Sequence, residues 1–431
     1  MTPWPATIRR LGIVLLCALL VASCATSNTP TTPAVTPAPS SITLVLWHGW
    51  SATARQALSR LVDRFNQQHP NGRILLQSIP LSSFDTDLRA ALAAGGGPHI
   101  VLVPNTWVGS FAQQGALLPL DGLITAGDRQ ALLPSALGGA QARGADGKQS
   151  IYGLPISIDT LALFYDKRNV LRPPEDTDTL VSNAHGLGDP TIPRWGLAFN
   201  LTLDNTIGYL YAAGGRVFDE QGALVLGGTG RAGAERWLAW LKQLHDDNQL
   251  LARLDSSIEV DRELKGGRVL MSVDWAHQLG LYRSLWGENT GIAVLPRMAA
   301  TNQAPQPYLR SDVLAINSRV APAERAAALE FLAFMVGSDV QAELLKNNLQ
   351  PARDALGLND LGLDAVQLRA AEVFRAQARQ ALPMPNSPTR ELVRRELAQL
   401  QRQVLRGEAS PADAVAETAT HLQDLLPSPN P

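Results

Sequence analysis

The hydrophobic positions change period along the chain, and each change marks an element. SITLVLWHGW is a β-branched apolar run that reads as a strand. After it Ala54, Leu58, Leu61, Val62 and Phe65 recur at helical spacing until Pro70 stops the helix. RILLQSIP is a second strand, FDTDLRAALAAG a helix broken at Gly95-Gly96-Gly97-Pro98, and HIVLVP a third strand. Strands alternating with helices predict an α/β fold with a parallel sheet, where ligands gather at the carboxyl ends of strands. The tails WHGW and NTW fall at such ends, and both carry tryptophan.

The middle of the chain repeats this alternation less regularly. IYGLPISIDTLALFYDKRNV is strand-like, WGLAFNLT is a strand, and DNTIGYLYAAGG is a short helix ended by Gly214-Gly215. GRAGAERWLAWLKQLHDD is an amphipathic helix; DRELKGGRVLMSVDW reads as helix, turn and strand; GIAVLPRM and PYLRSDVLAINS read as two strands joined by a polar loop. The pattern predicts a second α/β lobe. From Pro322 onward nearly everything is helical, with a turn at Gln350-Pro351 and two amphipathic helices starting from Asp364 and from Ser387. No internal repeat is visible.

The first forty residues follow different rules. Arg9-Arg10, an apolar run from Leu11 to Ala22 and Ser23-Cys24 make a charged n-region, an h-region and a small-residue cleavage site. The run is too short to stay in a bilayer as a spanning helix. Val21-Ala22-Ser23-Cys24 resembles the lipobox of bacterial lipoproteins, which implies cleavage after residue 23, a lipid on Cys24 and attachment to a membrane. Residues 25–41 form an uncharged Pro/Thr/Ser/Ala tract that suits a semi-rigid tether. With Cys17 in the leader and Cys24 acylated, no thiol is left for a disulfide, a metal or catalysis.

Composition narrows the partners. The chain has 431 residues, 45% hydrophobic and 18% charged, as in ordinary globular proteins. The net charge of −2 becomes −4 once Arg9 and Arg10 are removed, so there is no basic footprint for nucleic acid. The seven histidines are scattered without a His-x-x-x-His pair, which leaves no metal signature and no cofactor is expected. Gly49-Trp50-Ser51-Ala52-Thr53 lacks the second glycine of a nucleophile elbow. No spacing among the 39 acidic residues selects a glycosidase pair, so a secreted hydrolase is the weaker reading and a non-enzymatic protein the stronger.

LWHGWSATARQALSRLVDRFNQQHP, GALLPLDGLI, YGLPISIDTLALFYDKRNV, LKGGRVLMSVDWA and VLAINSRVAPAERAAALEFLAFMVGSDVQAELLK, in this order, resemble the family 1 extracellular solute-binding proteins, the maltose-binding-like group. The resemblance covers almost everything from Ser41 onward. It implies a two-lobed periplasmic-binding-protein fold of type II with the ligand cleft between the lobes, closing about a hinge. By the same resemblance the chain crosses near Ile156–Leu163 and Leu295–Leu314. Residues 42–157 plus 297–345 would form lobe 1, and 162–295 plus 350–431 lobe 2. The implied function is capture of a mono- or oligosaccharide and delivery to the permease subunits of an ABC importer, outside the cytoplasm, in the periplasm or at the cell surface. Relatives that take glycerol phosphates supply the alternative. A monomer is expected, because the cleft must open and dock. Two departures stand out: His99 replaces an aspartate that usually opens its strand, and Arg310-Ser311-Asp312 replaces a common Gly-Gly, placing a guanidinium and a carboxylate at the cleft.

A pyranose has an apolar C–H face and a rim of hydroxyls, so its site needs flat aromatic surface and forked polar groups. Trp47, Trp50, Trp107 and Trp275 lie at predicted strand ends or loops; Trp275 leads, its alternative being a buried tryptophan that packs the hinge. For Trp47, alternation along ITLVLW points one of Leu46 and Trp47 inward. His48 is either a ligand hydrogen-bonder or a satisfied loop histidine. Asp159 in the crossing strand, Asn205 at a helix start, Asp274, Arg310 and Asp312 complete the candidate set, with Asn205 or Asp204 alternatively capping the helix. Trp237 and Trp240, three apart with Leu241 and Leu244, read as core.

Overall fold

The computed structural model describes residues 42–189, 191–254 and 257–426, so the leader, Cys24 and the tether lie outside the described residues. The strands among them are, in chain order, β1 (Ile42–His48), β2 (Gly72–Ser78), β3 (Ile100–Pro104), β4 (Gln141–Arg143), β5 (Gln149–Ile151), β6 (Leu154–Asp159) and β7 (Leu161–Asp166). They continue with β8 (Ala198–Asn200), β9 (Leu251–Arg253), β10 (Met271–Trp275), β11 (Thr290–Ala293), β12 (Tyr308–Ile316), β13 (Gln350–Pro351) and β14 (Leu382–Pro383). Two large sheets result. The first runs β13-β6-β12-β3-β1-β2 with β14 added beside β12, the second β11-β7-β10-β8-β9, and β4-β5 is a separate hairpin.

Local chemistry explains the first sheet. Helix Ala52–Gln68 buries Ala57, Leu58, Leu61, Val62 and Phe65, one face of a 3.6-residue period, and ends before Pro70. β1 pairs in parallel with β2 and β3, the β-α-β arrangement that the alternation predicts. β12 and β6 join antiparallel, so the sheet is mixed rather than parallel throughout. Both of its faces are covered. Leu44, Leu46, Phe65 and Phe331 pack on one side, while Phe84, Val103, Phe111 and Val313 pack on the other with Trp47 against them.

The second sheet has its own cores: Phe199, Tyr209, Trp237 and Leu241 on one side, Phe164, Tyr282 and Phe374 on the other. Separate cores make two lobes. β6 leaves the first sheet at Asp159 and β7 enters the second at Leu161, with only the buried Thr160 between; its hydroxyl donates to Tyr308 O at 3.1 Å. The chain returns from β11 to β12. It also crosses again late: Gln350-Pro351 is an edge strand on β6 rather than a simple turn, and helix Ala365–Gln380 packs against β7 and β11. β14 then pairs with β12, and helices Arg390–Leu405 and Pro411–Leu425 stack on helix Arg231–Asp246. The last helix is one more than the periodicity predicts. No helix among the described residues is long and apolar enough to cross a membrane.

Candidate functional site

The two crossing strands lie side by side, with Arg310 opposite Asp159 and Asp312 opposite Ser157, and a register shift between Asp312 and Val313. Shifts of this kind re-aim side chains. Above them a cavity of about 310 Å³ opens between the lobes. Asp159, Arg310, Ser311 and Asp312 form its floor, Asn105 and Thr106 reach it from the end of β3, and Asp204 and Arg390 close it from the second lobe. A smaller cavity of about 160 Å³ adjoins it, sharing Asp204, Met384 and Arg390 and adding Tyr211, Phe218 and Tyr308.

Each charge in this cleft has a defined environment. Asp159 receives His277 Nδ1 at 2.8 Å and the His277 backbone N–H at 3.2 Å, and that carboxylate holds the imidazole pKa above its ordinary value. Asp312 accepts from Ser157 Oγ at 2.6 Å and from the Trp50 indole, yet burial pushes its carboxyl upward. Asp204 stands between Arg310 at 3.4 Å and Arg394 at 3.6 Å. The Ser311 hydroxyl is buried on the cavity floor and has no hydrogen-bond partner among the described residues, so a donor and acceptor face the space unsatisfied.

A layer beneath supports these groups. Trp275, 6% exposed, donates from Nε1 to Asn205 Oδ1 at 2.8 Å, and the Arg310 guanidinium lies 3.6 Å from its ring centroid. Asn205 in turn donates to Asn200 O at 2.9 Å. Asp274 accepts from the Trp275 N–H at 2.8 Å and the Tyr282 hydroxyl at 3.0 Å, and burial raises its pKa to about 6.

Of the ten ligand candidates, Asp159, Arg310 and Asp312 line the main cavity; Asn205, Asp274 and Trp275 lie under it, and Trp50 touches it through Asp312. Three sit apart from it. Trp47 donates to Gln77 Oε1 at 2.9 Å. His48 is wholly buried, accepts the Trp50 N–H on Nδ1, and is held near a pKa of about 4 by burial and by Arg55. Trp107 packs on Phe84 and Phe111, while its neighbour Thr106 reaches the cleft. Asp204 is not the helix cap: the cap position is Thr202, and Asp204 in the first turn faces the arginines. His99 accepts the Val45 N–H at 2.9 Å, a bond within the first lobe. Sequence reasoning missed Asn105, Arg390 and Arg394. The tail NTW pointed toward the first, and the four-residue spacing of the arginines on a predicted helix was the available signal for the others. Among the described residues no group of three or more His, Cys, Asp or Glu could hold a metal ion.

Known proteins identify the family and the fold. The sequence profile of the bacterial extracellular solute-binding proteins matches residues 60–368. A maltotriose-binding protein of Pyrococcus abyssi is 28% identical over 178 residues, which span 41% of this chain and 38% of that relative. A cyclo/maltodextrin-binding protein solved with maltotetraose superposes with a TM-score of 0.76 at 20% identity, covering 90% of this chain and 97% of the other. The cyclic α-maltosyl-1,6-maltose binding protein of Arthrobacter globiformis gives 0.75 at 23% identity, covering 88% and 97%. Two lobes built around separate sheets, a cavity where the chain crosses between them and a profile match over most of the chain lead to one assignment: the chain belongs to the bacterial extracellular solute-binding proteins.

Proposed function

We propose that this protein captures a carbohydrate in the cleft between its lobes and delivers it to the permease of an ABC importer. It would do so as a monomer tethered outside the cytoplasm by a lipid on Cys24. The observation that carries the reading is the cavity at the crossing strands, where carboxylates, guanidiniums and the unpartnered Ser311 hydroxyl converge from both lobes. Asp159, Asp204 and Asp312 accept from sugar hydroxyls, while Arg310 and Arg390 donate; charge-assisted bonds of this kind orient a polyol. The lobes close because a bound sugar contacts both, whereas the open form offers it only one. The saccharides for which similar proteins are named, maltotriose and maltodextrins, are the first to test.

The alternative ligand, a glycerol phosphate, gains support from Arg390 and Arg394, which add cations to the cleft. A hydrolase would consume what it binds. The deciding experiment is a thermal-shift and calorimetric screen of the purified protein against neutral and acidic saccharides and glycerol phosphates, with each ligand recovered afterwards. A saccharide that raises the midpoint, is recovered intact and loses its effect in Asp159→Ala is the expected result. A response to glycerol phosphate alone sinks the carbohydrate reading.

A further inference from the structure

The cleft is richer in guanidinium, and poorer in exposed aromatic surface, than a neutral sugar asks for. The face of Trp275 that would stack on a pyranose is covered by Arg310 at 3.6 Å, and no aromatic side chain is among the described residues lining the larger cavity. Three guanidiniums, of Arg310, Arg390 and Arg394, surround the junction of the two cavities, where Asp204 is the inward carboxylate. The other partner of Arg390 and Arg394 is Glu391, at 3.2 and 3.3 Å, whose side chain is 67% exposed and thus well solvated. Of the remaining acids, Asp159 holds His277, and Asp312 takes hydrogen bonds from two neutral donors, Ser157 and Trp50.

Helix geometry adds to this. Arg390 opens a sixteen-residue helix whose cap residue Thr389 makes no side-chain cap bond, so the positive end of the helix borders the smaller cavity. Independently, Ser311, 4% exposed, keeps on the cavity floor a hydroxyl without a partner among the described residues.

We infer that the ligand is a saccharide carrying a carboxylate, a hexuronate or an oligosaccharide containing one, whose anionic group is received by Arg390 and Arg310 at the junction of the two cavities. This rests on the carbohydrate reading and sharpens it. A guanidinium fork meets a carboxylate with two parallel hydrogen bonds, whereas a doubly charged phosphate asks for more cations than Arg390 and Arg310 supply with Asp204 beside them. Arg390 is the specificity-determining residue, because it faces both cavities and, among the described residues, its ion-pair partner is the solvated Glu391.

The test compares galacturonate and glucuronate with galactose, glucose, maltotriose, the uronate methyl esters and glucose 6-phosphate, by calorimetry on the purified wild-type protein. A charge-assisted contact of this type predicts that the acid binds about tenfold or more tightly than its neutral parent and its ester. The preference shrinks as salt rises, and in Arg390→Ala it disappears, so that acid, ester and neutral parent bind alike. The ester comparison leaves the protein untouched, so it decides the matter even if the variant does not fold. Equal binding of acid, ester and neutral parent, or of maltotriose alone, overturns the carboxylate but leaves the carbohydrate reading standing. Tighter binding of the phosphate ester also overturns the carboxylate. Absence of binding by every saccharide overturns both.

Discussion

Asp274→Asn provides the sharpest test of the site's electrostatics. Asp274 is the carboxylate under the cleft, held by the Trp275 N–H at 2.8 Å and the Tyr282 hydroxyl at 3.0 Å, with its pKa raised by burial to about 6 from 3.8. A raised folded-state pKa means that the folded protein keeps a proton which the unfolded chain releases. The associated stability is fully present below the unfolded value of about 3.8 and is lost as pH rises through about 6. At about 1.36 kcal/mol per pH unit, the loss amounts to about 3 kcal/mol by pH 8. An asparagine keeps the acceptor for Trp275 N–H and can pair its amide with the Tyr282 oxygen, but it never carries the charge. Asp274→Asn should therefore be more stable than wild type by up to about 3 kcal/mol at pH 8, and the two should converge near pH 4. With unfolding entropy near 2.1 cal/mol/K per residue, that is a Tm gain of about 3–4 °C for a fold of this size. Melting curves of both proteins between pH 4 and 8 measure it. A difference that stays constant with pH, or a variant less stable at pH 8, would refute the buried-charge account.

Three further outcomes follow from particular contacts. Trp275→Ala should cost about 3–5 kcal/mol of stability and release Arg310, whereas Trp275→Phe keeps the stacking ring and should cost about 1 kcal/mol through the stranded Asn205 oxygen; denaturant unfolding separates them. Gln341→Ala should cost about 2–4 kcal/mol, since its wholly buried amide donates to Ile156 O and Met335 O and accepts from Arg353 N–H; a change under 0.5 kcal/mol, on the scale of an ordinary surface substitution, would contradict that. Gly208→Ala should cost about 1–3 kcal/mol and weaken ligand binding, because its Cβ would come within 2.7 Å of the Pro307 backbone and displace the strand carrying Arg310; calorimetry with the best saccharide checks the second part.

The cleft also shows why tryptophan position alone does not define a sugar platform. Trp275 ends β10 and Trp50 lies in the loop after β1, yet Trp275 is roofed by Arg310 and Trp50 is tied to Asp312. Trp47 and Trp107 pack against the core of Phe84, Val103 and Phe111 on one face of the first sheet. An indole at a strand end has access to solvent only if no neighbouring element covers it, and the covering elements here come from distant parts of the chain.

Periodicity along the sequence determined the elements themselves. The stripe of Leu58, Leu61, Val62 and Phe65 made a helix, HIVLVP a buried strand, and Trp237 and Trp240 core residues at 0% and 8% exposure, because each pattern needs only its own segment to bury one face. Tertiary structure decided the rest. ITLVLW suggested that one of Leu46 and Trp47 turns inward, but the sheet is covered on both faces, so both are packed. The pairs that shape the cleft join residues far apart in sequence: Asp159 with His277 across 118 positions, Arg310 with Asp204 across 106. Arg390 and Arg394 arrive on a helix that looks, in sequence, like any other solvated amphipathic segment. The two-residue strands Gln350-Pro351 and Leu382-Pro383 are too short to have a period and exist only because β6 and β12 offer them edges. A local pattern records which face of an element is apolar; which charges meet across a cleft depends on how the lobes pack, and only the folded chain carries that information.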